Sequence, residues 1–147
     1  MARVRSELVG MQETREAIAE FTKSVQRSVG RRALLIPAHI IGARAQSNAP
    51  VSTRPDDPTP GSLKASFQIV RGTGRQNMAL ARVAILFVDP AAVPTEYGTT
   101  KMSAQPWFRP AIQAMTPAAQ AAFETELVRE VDKAAEKAAR KSKAVAG

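Results

Sequence analysis

The stretch Pro94–Ala111, PTEYGTTKMSAQPWFRPA, governs how the rest of the chain is read. It carries the only Trp, the only Tyr, three prolines and a glycine. Trp107 and Phe108 stand between Pro106 and Pro110, so two large apolar anchors sit on backbone of restricted direction. Gly98 follows Glu96 and Tyr97 and precedes two threonines, the pattern of a tight turn that needs positive φ. Glu96 ahead of the turn and Arg109 behind the aromatics are natural partners for a bidentate carboxylate–guanidinium pair. The expected structural clamp is therefore Glu96, Tyr97, Gly98, Pro106, Trp107, Phe108, Arg109 and Pro110. In it Arg109 holds the turn against a sheet with Trp107 or Phe108 buried beneath. The competing reading leaves Arg109 exposed toward a neighbouring subunit, and on composition alone the segment is a loop that plugs a core.

Outward from this segment, the preceding chain alternates. Ser62–Arg71 places Leu63, Ala65, Phe67 and Ile69 on one side and polar residues on the other, which predicts a half-buried strand. Its partner is expected at Ala79–Val88, across a hairpin connection at Gly72–Asn77. Thr95–Tyr97 could add a short third strand. Asn48–Gly61, NAPVSTRPDDPTPG, has four prolines and reads as a loop. Asp56 and Asp57 within it lack companion carboxylates for a metal, so a solvated turn is expected.

Before the loop, helical spacing of Met11, Ile18, Phe21, Val25 and Val29 predicts an amphipathic helix over about Thr14–Arg27. Its early acids and the later Lys23, Arg27, Arg31 and Arg32 match the helix dipole. Ala33–Ser47 is expected as a buried second helix, with Ala33, Ile36, Ile40, Ala43 and Ser47 on one face. Pro37 either kinks it or marks where its regular part begins. Gly42, Ala43 and Ala45 would allow close approach of another element, and His39 is expected as a packed core histidine. Met1–Val9 reads as a short strand or frayed lead-in. After the clamp, Pro110–Met115 is expected to open a helical turn, and Thr116-Pro117 then resembles the start of a third helix, with Phe123, Leu127, Val131, Ala134 and Ala138 as its stripe.

The expected architecture is α+β: N-terminal helices packed on a small antiparallel β-sheet, followed by a C-terminal helix. One domain is expected over residues 1–139, with a proline-rich loop at 48–61 and a basic, disordered tail at 140–147. The chain has 147 residues, is 44% apolar and only 5% aromatic, so its core should be thin and stability partly dependent on neighbours in an assembly. The absence of cysteine excludes disulfides and thiolate zinc sites. Arg3 and Arg5 have no apolar run behind them, so no signal peptide is expected, and Ala33–Ile41 is too short to span a bilayer.

The order of elements and four motifs resemble the gene-product-ten-like tail-component family of long-tailed bacteriophages, small proteins of the neck where head meets tail. The motifs are Ala49-Pro50, Gly61-Ser62-Leu63-Lys64-Ala65-Ser66, Glu96-Tyr97-Gly98-Thr99, and Ala104-Gln105-Pro106-Trp107-Phe108-Arg109-Pro110-Ala111. The last is the most specific, and the resemblance covers roughly Met11–Met115. The segment between Ala49-Pro50 and Gly61 is longer than usual, with Pro60 where the family has threonine. The stretch before Glu96 is short and lacks the family's additional tyrosines and glycines.

The resemblance implies a structural virion protein of the neck, made in the bacterial host cytoplasm, that forms a homo-oligomeric ring around the DNA channel. Its implied partners are copies of itself and adjacent head-completion, adaptor, tail-tube or tail-terminator proteins, with no membrane and no cofactor. Val51, Arg54, Asp56 and Asp57 in one loop and Arg71 and Arg75 in the hairpin are the expected docking residues. A net charge of +8 makes nonspecific contact with DNA phosphates compatible with a basic lumen, although by segment the excess is spread out. The alternative is a small sequence-nonspecific nucleic-acid-binding protein. An enzyme is the least favoured class, since no triad, metal cluster, phosphate loop or pair of spaced acids is visible.

Overall fold

The computed structural model describes residues 12–72 and 81–146. It is an α+β structure: α1 (12–20), α2 (Lys23–Ala33), α3 (Leu35–Asn48), α4 (Ser62–Ala65), β1 (Phe67–Arg71), β2 (Val83–Phe87), α5 (Ala92–Tyr97) and α6 (Phe108–Ala146). The strands Phe67–Arg71 and Val83–Phe87 pair antiparallel with Phe67 opposite Phe87 and Arg71 opposite Val83. α3 lies along α6 and against the sheet, while α2 also packs on α6.

The expected first helix is two. It breaks at Phe21–Thr22, where the Gln26 side chain donates to the Ile18 and Phe21 carbonyls at 2.9 Å each. The Phe21 amide also donates to the Ile18 carbonyl at 3.1 Å, so Gln26 adds a second bond there and gives the Phe21 carbonyl a donor at the end of α1. Thr22 Oγ1 accepts from the Val25 amide at 3.4 Å and starts α2. α2 then runs almost directly into α3 through Leu34, whose backbone stays in the αR region. Pro37 explains the join. Without an N–H it cannot bond the Ala33 carbonyl, and it falls in the first turn of α3 where that loss costs little.

The buried face of α3 is rotated from the expected one. Pro37, Ala38, Gly42 and Ala45 are buried, whereas Ile36, Ala43 and Ser47 are exposed. Close packing decides this: the Phe67 ring sits on Gly42 so tightly that a Cβ there would overlap it. His39 is exposed, meeting Phe67 edge-on at 6.4 Å rather than packing in a core.

Four more expectations are corrected. Ser62–Ala65 is a short helical turn, so the strand begins only at Phe67; Gly61, with φ of 84°, turns the chain into it. Ser66 Oγ closes the turn by donating to the Leu63 carbonyl at 2.8 Å. Thr95–Tyr97 is helical and belongs to α5, with the Asp89 carboxylate accepting from the Ala91 amide just ahead of it. The C-terminal helix starts at Phe108, not Pro117, and spans 39 residues, about 58 Å at the helical rise. Pro117 lies inside it, and the neighbouring Thr116 hydroxyl donates to the Ile112 carbonyl. The segment expected as a disordered tail continues this helix to Ala146. The reading of Met1–Val9, most of the hairpin connection and the start of the second strand lie outside the described residues.

One core cluster comprises Ala45, Ala49, Leu63, Trp107 and Ala111, with Phe87, Ala92 and Phe108 packed against it. The Phe87 and Trp107 rings meet edge-to-face at 4.5 Å. Among the described residues no layer covers the other face of the sheet, with Val70, Ala84 and Leu86, and Val70, Leu86 and the adjoining Val88 are exposed.

Candidate functional site

Glu96 comes near the end of α5, and Gly98 immediately terminates that helix. Gly98 has φ of 77°, and a Cβ on it would lie 2.7 Å from the Ala104 amide nitrogen and 2.9 Å from the Met102 carbonyl. Only glycine fits that turn. Thr99 and Met102 exchange backbone bonds of 2.8 and 3.3 Å, and the Gln105 amide donates to the Thr95 carbonyl at 2.8 Å. The loop is thus folded back on α5, which brings Trp107 to Glu96.

The Glu96 carboxylate caps α6. Oε2 accepts from the Trp107 and Phe108 amides at 2.7 and 2.9 Å, and Oε1 accepts from the Arg109 amide at 3.1 Å. The next residue, Pro110, has no N–H. Every donor left open at the start of the helix is therefore either bonded to one carboxylate or absent. The negative charge also faces the positive end of the helix dipole. Arg109 adds one further bond, from Nε to Oε1 at 2.9 Å, and its guanidinium lies 4.8 Å from the centre of the exposed Tyr97 ring.

The expected clamp residues are thus together, but their roles differ from expectation. Glu96 is the buried member, its side chain 5% exposed, while the Arg109 side chain is 52% exposed. The contact uses Nε alone rather than a two-pronged fork. Trp107 is the residue buried beneath, at 3%, with Phe108 partly buried beside it. Trp107 also anchors α3, since Asn48 Nδ2 donates to its carbonyl at 3.3 Å. Burial pushes the Glu96 carboxyl up, but the Phe108 and Trp107 amides, the Arg109 side chain and the Arg109 amide outweigh it and hold it at about 2.

The docking residues do not form one surface. Val51, Arg54, Asp56 and Asp57 line a cleft of about 770 Å³ whose opposite wall includes Pro94 and Met102. The Asp57 carboxylate accepts from the Thr59 amide at 2.9 Å, and that bond, with help from Ser52 and Arg54, holds it below its ordinary value. Arg71 lies elsewhere, in a second recess, and Arg75 is outside the described residues. Among the described residues no group of three or more His, Asp and Glu could hold a metal ion, and no helix is long and apolar enough to cross a membrane.

The second recess, of about 280 Å³, was not foreseen. Ser24, Arg27, Ser28, Arg31 and Arg32 of α2 line it with Arg71 of β1. Their spacing on one helix face was available in the sequence, but the arginines were read only as partners of the helix dipole. Arg32 Nε meets Glu130 of α6 at 2.6 Å, and Lys133 Nζ meets the same carboxylate at 3.0 Å. Burial pushes Glu130 up, while Lys133 and Arg32 together hold it below its ordinary value.

The chain matches no family model, no curated protein and no solved structure.

Proposed function

We propose that the chain is a structural protein of the neck of a long-tailed bacteriophage or prophage particle. It is made in the host cytoplasm and acts as one subunit of a ring around the DNA channel at the head–tail junction. Its chemistry is assembly rather than catalysis. Subunits join to one another and to adjacent head-completion, adaptor, tail-tube or tail-terminator proteins.

The observation that carries this reading is where the resemblance motifs meet. Ala49, Leu63, Trp107 and Ala111, drawn from three separate motifs, share one core cluster. The fourth motif supplies Glu96, which caps the helix that Trp107 precedes. Their side chains bury and brace, so their recurrence together fits a common scaffold whose outer surfaces are free to meet other proteins. The uncovered sheet face supports assembly as well. A two-stranded sheet with Val70, Leu86 and Val88 exposed is marginal by itself and gains from a neighbour.

Light scattering at low and physiological salt, followed by particle imaging, tests the reading. A discrete ring with a central hole is the expected result, either from the chain alone or after head-completion or tail proteins are added. A chain that stays monomeric under all these conditions overturns it.

A further inference from the structure

We infer that the recess between α2 and the end of the hairpin binds a backbone phosphate of nucleic acid, and that this face of the chain meets the duplex. The inference stands apart from ring formation, because a single chain carries the whole recess.

The sequence builds the recess from one helix face. Ser24, Arg27, Ser28, Arg31 and Arg32 follow at helical spacing, so their side chains rise along the same side of α2. Gly30 lies beside that face and lets the hairpin come close. A Cβ there would stand 2.6 Å from the Ala81 Cβ. The Gly72 amide donates to the Arg82 carbonyl at 2.9 Å, closing the described end of the hairpin. This close approach sets Arg71 across from the α2 arginines.

Four guanidinium groups thus line a space of about 280 Å³. Arginine keeps its charge at any ordinary pH, so the group cannot relieve mutual repulsion by losing a proton. Glu130 meets Arg32 from the α6 side. Arg31 Nε is buried and has no hydrogen-bond partner among the described residues. A buried donor with no acceptor is costly, and an arriving anion would provide the missing acceptor.

The donor set favours phosphate. Planar forks from several directions can share the oxygens of one tetrahedral anion, and the Ser24 and Ser28 hydroxyls add donors that rotate to suit. Among the described residues no aromatic side chain lines the recess to give a base a stacking platform, and its guanidinium groups converge on one small space. The recess would therefore read the backbone and not the sequence. The overall charge of +8 steers such a partner from a distance.

The test is fluorescence anisotropy of a labelled random-sequence DNA duplex with the full chain, between about 50 and 200 mM salt. Arg31→Gln with Arg71→Gln is compared with Arg140→Gln with Lys141→Gln, which removes the same charge from the exposed end of α6. The recess pair should weaken binding about tenfold or more and lower the salt slope by about 2, while the α6 pair changes neither. Arg71→Gln alone, at an exposed strand end, should lower the slope by about 1 with an unchanged melting temperature, so the result survives if the double variant folds poorly. Equal weakening by both pairs would mean diffuse charge and overturns the assignment. So does absence of duplex binding at low salt, or occupation of the recess by inorganic phosphate with no duplex binding.

Discussion

Glu96 Oε2 stands 2.7 Å from the Trp107 amide nitrogen, so a side chain on α5 supplies the N-terminal cap of α6. Most helices take their cap from the residue just before the first turn. Here that position is Trp107, which is needed in the core and has no acceptor to offer. The carboxylate comes instead from across a turn that only Gly98 can make. Core anchor and cap are thereby divided between two residues, and the turn that joins them becomes indispensable.

The two partners of the clamp should differ in weight. Glu96→Ala leaves three amides without their acceptor beside a buried tryptophan, and should cost about 3 kcal/mol or more. Arg109→Ala removes one bond from a half-exposed side chain and should cost about 1 kcal/mol or less, since solvent screens the exposed partner. Were Arg109 the buried member of the pair, stranding its charge would cost roughly 3–5 kcal/mol instead. Urea titrations of both variants decide the order, and a larger loss for Arg109→Ala would refute the capping account.

Acid should reveal the same carboxylate. Glu96 is held at about 2 in the fold against an ordinary 4.5, so folding favours its ionised form. Its contribution is complete above the ordinary value and is lost as pH falls from about 4.5 toward 2. The shift corresponds to about 3 kcal/mol at neutral pH. Stability measured by denaturant titration should therefore fall over that window in the unmodified chain. In Glu96→Gln the part of the slope due to this group should vanish, although the stability at neutral pH is already lower. An identical acid slope in both proteins would place the effect on other carboxylates.

What could be read in the sequence divides along physical lines. The hairpin core from Phe67 and Phe87, the turn at Gly98 and the meeting of Glu96 with Arg109 were legible because each depends on local pattern or strong residue type. Helix boundaries were not. Pro117 is a normal helix-start signal, and only the Glu96 cap moves the true start to Phe108. Thr95–Tyr97 resembles a strand until Asp89 and Gly98 are seen to bound a short helix. The close approach at Gly42 and Ala45 was legible from their size, but helical spacing alone drew the face of α3 through Ile36, Ala43 and Ser47, and only the Phe67 ring seated on Gly42 fixes its rotation. The arginine recess depends on Arg71 arriving from another element, which no single stretch can announce.

Gly61 and Gly98, the two glycines with positive φ among the described residues, should respond differently to alanine. At Gly98 a Cβ would strike backbone atoms of Ala104 and Met102, neither of which can rotate away. Gly98→Ala should cost about 3 kcal/mol or more, combining the left-handed backbone with that collision. Gly61 has nothing within 4 Å of the same position, so Gly61→Ala should cost only the backbone term, about 1–2 kcal/mol. Thermal melts of the pair separate space from conformation, and equal losses would show that the collision at Gly98 relaxes.

The outer face of the sheet gives the last prediction. Gln68 pairs with Leu86 and Val70 with Ala84, and in the alternating pleat these four side chains point away from α3. Leu86 is 43% and Val88 61% exposed, so neither contributes much to the single chain's core. If this face is where subunits meet, Leu86→Lys with Val88→Lys should abolish assembly while shifting the monomer's stability by less than about 1 kcal/mol. Charge at an interface core is expelled because it must shed water without gaining a partner, whereas at the monomer surface it stays hydrated. Light scattering and a denaturant titration on the same preparation check both halves. A ring that still forms would move the subunit contact to another surface, with the exposed C-terminal turns of α6 as the next to mutate. A large loss of monomer stability would mean instead that this face is covered within the chain.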